Sequence, residues 1–490
     1  MRRPLSIPVP GYMRDHVYRE RTVLPAVETM RILAEPVQSE LNAAPVICIA
    51  HADFTKFLII DPETSHIDAY TETDAVKPDV ISTKLTSRQQ SEKSGISRSK
   101  EHASLTFVMN AEPPAEPDID LTMGLEGVCL TLHKERIYRE LVPFKTAYHN
   151  IEELFVSECG ALAFVTGGSD RAPCEPLGSP FPLDASFHAA CVWGQRYAGV
   201  VAFPVHIDRR IIVRKTAPGC SYISRIIPIK SGPDVLVFDL WIYSQDGDLC
   251  EEVRGLHMRD VSGKTLMPPD WIQESGGRRL NSIKAGCMDL SVIELSTVTT
   301  PCEKILSTPE RERYKGMREK RARSFLAARL ALKKISRKFS GNDMDTPADT
   351  ITTVKPDGRP ACPLTNGAEP HQCSVSHDSR FAVAAVSERR IGIDVEEISE
   401  RVLKSRRLYM HEEELALVRG HAIGEVEAST RVWSIKEAVS KALGVHLADA
   451  WLRTRVKDIG YEKSVIMIDE GEHEAIHAVV DGHLFTLTTI

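Results

Sequence analysis

The sequence predicts an α+β protein in two parts, and three observations carry this. From about residue 105 to 262 the chain is a series of short β-like runs, "SLTFVMN", "GALAFVT", "RRIIVRKT" and "DVLVFDLWIYSQDG", broken by one or two helical stretches. A segment with Pro-Pro and Gly-Gly, residues 263–287, then reads as a linker between a domain at 1–262 and another at 288–490. After it, helix patterns alternate with strand pairs. At 490 residues each part is long enough to bury a core.

Taken in order, the start "MRRPLSIPVPGYMRDH" has two arginines and no following apolar run, so no secretory signal is expected. It leaves little room for a strand before His16. Residues 73–104 are polar and weakly periodic, and are expected to be an exposed excursion between strands. "LDASFHAACVW" reads as a helix, with Asp184 and His188 one turn apart. Residues 309–339 predict a long helix, because Phe325, Ala328, Leu332, Ile335 and Phe339 recur at spacings of three and four. The rest of that surface is basic. "CSVSHDSRFAVAAVSERRIGIDVE" reads as paired strands, "VWSIKEAVSKALG" as a helix stopped by Gly444, and the tail as a hairpin or meander.

Composition excludes several classes. A net charge of −7 does not suit a protein that coats nucleic acid. Eleven scattered cysteines without a C-x-x-C pair point to reduced thiols in the cytoplasm rather than a disulfide framework or zinc site. No segment approaches the roughly 18 apolar residues of a membrane helix.

In "GIDVE", Asp394 and Glu396 share one strand face while Ile393 and Val395 take the other. Such close like charges need a positive neighbour. Trp433, Glu437 and Lys441 share a helix face, adding a third carboxylate and a lysine. Ser376 and His377 close a strand, Arg359 sits in a Gly-Arg-Pro turn, and Arg329 and Lys333 lie one turn apart. Three converging carboxylates suit Mg²⁺, and clustered cations suit phosphate groups. Singly each feature has a plainer explanation: a solvated edge, an exposed helix face or a satisfied turn.

In this order they resemble the 4′-phosphopantetheinyl transferase superfamily, on "GIDVE" and "WSIKEAVSK", with "RLALKK", "GRPACP" and "SVSH" upstream. The length from 288 to 490 is similar to the larger, pseudo-dimeric subtype. The resemblance implies that Asp394, Glu396 and Glu437 hold Mg²⁺ on the pyrophosphate of coenzyme A. Glu437, or a water it orients, would deprotonate the acceptor serine of an acyl carrier protein, and Lys441 would stabilise charge on the phosphate. Ser376, His377, Arg359 and Arg329 would hold the 3′-phosphate and adenosine end. Lys436 falls within the motif and is expected on the coenzyme A side.

Toward the N-terminus, His16 stands nine residues before Pro25, and Asp184 four before His188. On these residues alone an incidental placement is the plainer account. The surrounding stretches resemble the dehydratase domains of polyketide and polyunsaturated-fatty-acid synthases, a double hotdog fold. The resemblance implies that His16 takes the α-proton of a β-hydroxyacyl thioester, that Asp184 protonates the leaving hydroxyl and that His188 orients Asp184. Glu20 replaces the glycine of that motif, which is expected to alter the loop beside His16. The combined expectation is a transferase fused to a dehydratase-like domain. Its carrier partner would belong to a polyketide or fatty-acid synthase, with a homodimer through the hotdog part. The rival is an active transferase whose silent hotdog part only docks carrier protein.

Overall fold

The computed structural model describes residues 2–38, 47–90, 97–109, 111–115, 124–169, 173–232, 234–273, 280–339, 346–363 and 371–490. The chain forms two compact units. One comprises Met1–Pro117 and Leu130–Ser275, the other Asp118–Cys129 and Gly276–Ile490.

In the first unit the strands run β1 (Arg2–Pro8), β2 (Val17–Tyr18), β3 (Arg21–Val23), β4 (Ile47–Phe54), β5 (Ile59–Ile60), β6 (His66–Lys77), β7 (Val80–Gln90) and β8 (Ser97–Val108). They continue as β9 (Leu130–His133), β10 (Ile151–Ser157), β11 (Gly160–Thr166), β12 (Phe203–Ile212), β13 (Ser221–Ser231), β14 (Leu236–Ser244) and β15 (Leu249–Arg259). Twelve of them make one antiparallel sheet, in the order β1-β6-β7-β8-β4-β12-β15-β14-β13-β11-β10-β9. Helix Ala26–Ala34 packs on β7 and β8, and helix Phe181–Tyr197 packs on β10, β11, β13 and β14. This is the double hotdog: two helices, each against its own half-sheet, with β4 and β12 paired at the seam. The second helix begins at Pro180 and Pro182, where missing amide donors cost nothing. Its residues from Phe181 to Gln195 are all buried, so its apolar character runs around the whole circumference.

Two expectations are corrected here, and a third stretch is described. Strand β1 precedes His16 and pairs with β6. Residues 73–104 lie largely in the long strands β6, β7 and β8, with 91–96 outside the described residues. The buried positions there include Thr83, Leu85, Thr86 and His102, so β-branched polar side chains carry the strand face and hydropathy alternation stays weak. The stretch 263–287 holds a 3₁₀ turn, Asp270–Gln273, and a short helix, Asn281–Ala285, whose Ile272 and Ile283 are buried. Its residues 274–279 lie outside the described residues.

The second unit contains β16 (Asp289–Glu294), β17 (Gln372–His377), β18 (Phe381–Ser387), β19 (Ile391–Glu397), β20 (Thr454–Ile459), β21 (Lys463–Ile468), β22 (Gly471–Val480) and β23 (His483–Thr489). They form a three-stranded sheet, β16-β18-β17, and a five-stranded one, β19-β23-β22-β21-β20. Helix Glu319–Phe339 covers β16 and β18, and helix Glu425–Leu443 covers β19 and β23. The plan is thus twice a sheet under one long helix. The helix expected over 309–339 is split: Thr308–Tyr314 ends before Gly316, which sits at φ +77°, and the longer helix starts at Glu319. Helix Glu425–Leu443 ends at Gly444 in the left-handed conformation, as expected. Gly392 fixes how closely it packs, since a Cβ there would lie 1.8 Å from the Ala438 carbonyl oxygen. This contact lowers the helix onto β19 beside Asp394.

Candidate functional site

In the second unit, β19 buries Ile391, Ile393 and Val395 on one face and presents Asp394 and Glu396 on the other. Glu437 reaches them from the helix, and ligand oxygens of Asp394, Glu396 and Glu437 lie within 4.8 Å of one another. The Lys441 ammonium donates to Asp394 Oδ1 (2.7 Å), Ser376 Oγ (2.8 Å) and the Ile393 carbonyl (3.1 Å), and stands 3.6 Å from Glu437. Asp394 also accepts from the hydroxyls of Ser376 and Ser434, both at 2.8 Å. The Trp433 indole donates to Glu396 at 3.1 Å. Burial, and then the charge of Asp394, push the Glu396 carboxyl up to about 7. The same two causes raise Glu437, against the pull of Lys441. One lysine therefore does not neutralise the trio, and an oxygen-ligated dication fits this donor set.

Beside the trio lies a cavity of about 550 Å³, lined by Ser376, His377, Glu437, Lys441, Arg329 and Phe325 among others. His377 has its pKa lowered, first by burial and then by Lys441. Arg329 donates to the Thr353 carbonyl at 2.6 Å, and its buried Nε has no hydrogen-bond partner. Arg313 and Arg321 also line the cavity, and the sequence reading missed both. They stand in the same basic stretch, and Arg313 also donates to the Lys355 and Pro356 carbonyls.

Two expected ligands are placed elsewhere. Arg359 bonds the Gly444 carbonyl (2.8 Å) and is not among the cavity-lining residues. Lys436 is corrected outright: it is fully buried against Glu414 (2.7 Å) and the Tyr409 carbonyl (2.5 Å). One helix position, about 100° of rotation, separates it from Glu437 and aims it into the core. Lys333 is likewise consumed, by buried Glu310 at 2.8 Å. Lys436→Met leaves Glu414 without its cation and is expected to cost about 3–5 kcal/mol of stability, read as a lower urea midpoint. An unchanged midpoint would mean that Lys436 is not the cation Glu414 depends on.

In the first unit, His16, Asp184 and His188 line one largely apolar cavity of about 850 Å³. His16 stacks on Phe144 (4.4 Å between centroids), and His188 stands 4.9 Å from the same ring. The Val23 carbonyl lies 3.1 Å from His16 Nδ1, which places the proton there and leaves Nε2 as the base. Burial pushes the His16 imidazole down to about 4, the charge of Asp184 opposing, so it is neutral near pH 7. His188 Nε2 lies 3.0 Å from Asp184 Oδ2 but out of line, and both atoms are buried without a hydrogen-bond partner. Tyr138, whose hydroxyl accepts from the Asn150 and Ile151 amides at 3.0 Å, reaches His188 Nδ1 at 3.4 Å. Buried polar atoms left open in this way suit a ligand that completes them. Arg19 and Glu20 both have positive φ, +49° and +63°, between β2 and β3. The motif's glycine suits that turn, and Glu20 adopts the same backbone at some conformational cost.

No described helix is long and apolar enough to cross a membrane. The family model "4′-phosphopantetheinyl transferase superfamily" matches residues 390–483. The model "Polyketide synthase dehydratase N-terminal domain" matches residues 142–268, a span that holds Asp184 and His188 but not His16. A curated relative, 4′-phosphopantetheinyl transferase gsp of Aneurinibacillus migulanus, is 35% identical over 72 residues, 14% of this chain, and the chain spans 30% of that relative's length. Among solved structures, an N-terminal dehydratase from the difficidin assembly line aligns at 18% identity and TM-score 0.44, covering 54% of this chain and 94% of its own. The dehydratase domain from the CurF module of curacin polyketide synthase aligns at 19% and 0.42, covering 53% and 92%. One stretch of this chain thus matches the 4′-phosphopantetheinyl transferase superfamily model and another the polyketide synthase dehydratase model.

Proposed function

We propose that the second unit transfers the 4′-phosphopantetheine group of coenzyme A to a serine of an acyl carrier protein. The first unit dehydrates β-hydroxyacyl thioesters on such a carrier, in polyketide or fatty-acid biosynthesis. The observation that carries the reading is the carboxylate trio set beside a cation-lined cavity. Asp394, Glu396 and Glu437 would hold Mg²⁺. When bound, the ion neutralises pyrophosphate charge. Glu437, or a water it orients, takes the serine proton as the serine oxygen bonds the pantetheine phosphorus and the bond to the adenosine bisphosphate breaks. Lys441, held by Ser376 and Asp394, faces the charge that develops. His377, Arg329, Arg313 and Arg321 line the space for the nucleotide end. In the first unit His16 Nε2 removes the α-proton while Asp184 protonates the departing hydroxyl, so a carbon–carbon double bond and water form. The same reading places the protein in the cytoplasm, where scattered thiols stay reduced.

The test is intact-mass analysis of apo carrier proteins incubated with the full chain, coenzyme A and Mg²⁺. Gain of one phosphopantetheine is expected. A panel of polyketide and fatty-acid carriers that all stay apo would reject the transferase reading.

A further inference from the structure

A second cluster of metal-ligating side chains lies in the first unit, away from the cavity that holds His16 and Asp184. On β12, Ile207 is fully buried, so its neighbours His206 and Asp208 stand together on the opposite face of the sheet. His257 on β15 is the direct cross-strand partner of His206. His206 Nε2 lies 2.9 Å from Asp208 Oδ1, and His257 Nε2 lies 3.4 Å from Asp208 Oδ2. All three donors fall within 4.8 Å of one another. Ligand atoms about 3.3 Å apart are what a tetrahedral ion with bonds of about 2.0–2.1 Å requires.

The surroundings prepare this arrangement. Asp53 on β4, the partner of His206 on its other side, lies 2.7 Å from His206 Nδ1. In the tautomer with its proton on Nδ1, the ring donates to Asp53. Nε2 then faces the Asp208 carboxylate, and a cation can bind between them. A carboxylate on the far nitrogen is the usual support of a metal-bound histidine. Gly255, at φ +62°, gives the Asp208 side chain its room, because a Cβ there would lie 1.8 Å from Asp208 Oδ2. Its amide is held by Asp239 at 2.9 Å.

We propose that His206, Asp208 and His257 bind one divalent transition-metal ion of the Zn²⁺ class, with Asp53 as a positioning residue and water completing the coordination. Two imidazoles and one carboxylate select this class over Mg²⁺ or Ca²⁺. The ligands come from the neighbouring strands β12 and β15, and Asp53 supports them from β4 across the pairing of the two hotdog halves.

The experiment titrates Zn²⁺ into the metal-stripped full chain by calorimetry, with excess Mg²⁺ present to fill the carboxylate trio. The wild type is expected to bind an equivalent of Zn²⁺ that the double variant His206→Ala/His257→Ala lacks, and Zn²⁺ should raise the melting temperature only of the wild type. Asp53→Asn should weaken that equivalent by roughly 10–100-fold without removing it. Co²⁺ in the same site should absorb in the visible without sulfur-to-metal charge transfer, which separates it from cysteine binding. Equal Zn²⁺ uptake by wild type and double variant, or no uptake by either, would overturn the proposal and leave an ion-pair network only. Circular dichroism of the double variant checks that it is folded. If it is not, His257→Gln alone serves, with the same loss expected.

Discussion

Asp394→Ala or Glu437→Ala is expected to lower phosphopantetheine transfer by at least about 10²–10³-fold, the scale of losing one preorganised electrostatic group. The measurement is the rate of mass gain of a carrier protein. Asp394 does more than offer an oxygen: it anchors Lys441, Ser376 and Ser434 at 2.7–2.8 Å, so its loss also releases the lysine. Chelation of divalent ions should abolish transfer in the wild type. The raised carboxyls add a pH signature. With Glu396 pushed up to about 7, ion and protons compete for it, so the Mg²⁺ needed for half-maximal rate should fall as pH rises from 6 to 8. The sign for stability is the reverse. The folded chain holds a proton that the unfolded chain has lost, so the metal-free protein should lose stability as pH climbs from the ordinary carboxylate range through 7. Added Mg²⁺ should restore it. Undiminished transfer in EDTA, or by Asp394→Ala, would end the metal reading.

His16→Ala is expected to cost about 10²–10⁴-fold in dehydration, the usual contribution of a positioned general base, while transfer by the second unit stays at the wild-type rate. Mass analysis of the carrier-bound acyl chain reads the loss of water. Asp184→Asn should behave alike, since it keeps the shape and removes the proton donor. Burial sets the pH dependence. His16 is pushed down to about 4, so the acid limb from its protonation should lie near that value and not at the 6.5 of a free imidazole. A limb at 6.5, or a wild type that forms no enoyl product from any chain length offered, would favour the silent docking reading.

Much of the second unit was legible along the chain because its signals are local. Asp394 and Glu396 share a face through the two-residue period of a strand. Trp433, Glu437 and Lys441 do so through the four-residue spacing of a helix, and Gly444 ends that helix as its backbone freedom predicts. Asp184 and His188 are one helical turn apart for the same reason. What the sequence determined by itself was therefore which carboxylates, histidines and lysines share a face.

Only the tertiary structure decided which cations remain for a ligand. Lys333, Lys436 and Arg329 look alike in sequence, yet Lys333 and Lys436 are spent on buried Glu310 and Glu414, while Arg329 lines the cavity. A buried charge must find its counterion, and that counterion comes from a distant segment that periodicity does not reveal. The strands over 73–104 were hidden because threonine carries their inner face, so burial there depends on the neighbouring strands. His16 and Asp184 meet only because both line the cavity of the paired hotdog halves. His206 and His257 become neighbours only through cross-strand register, a property of the folded sheet.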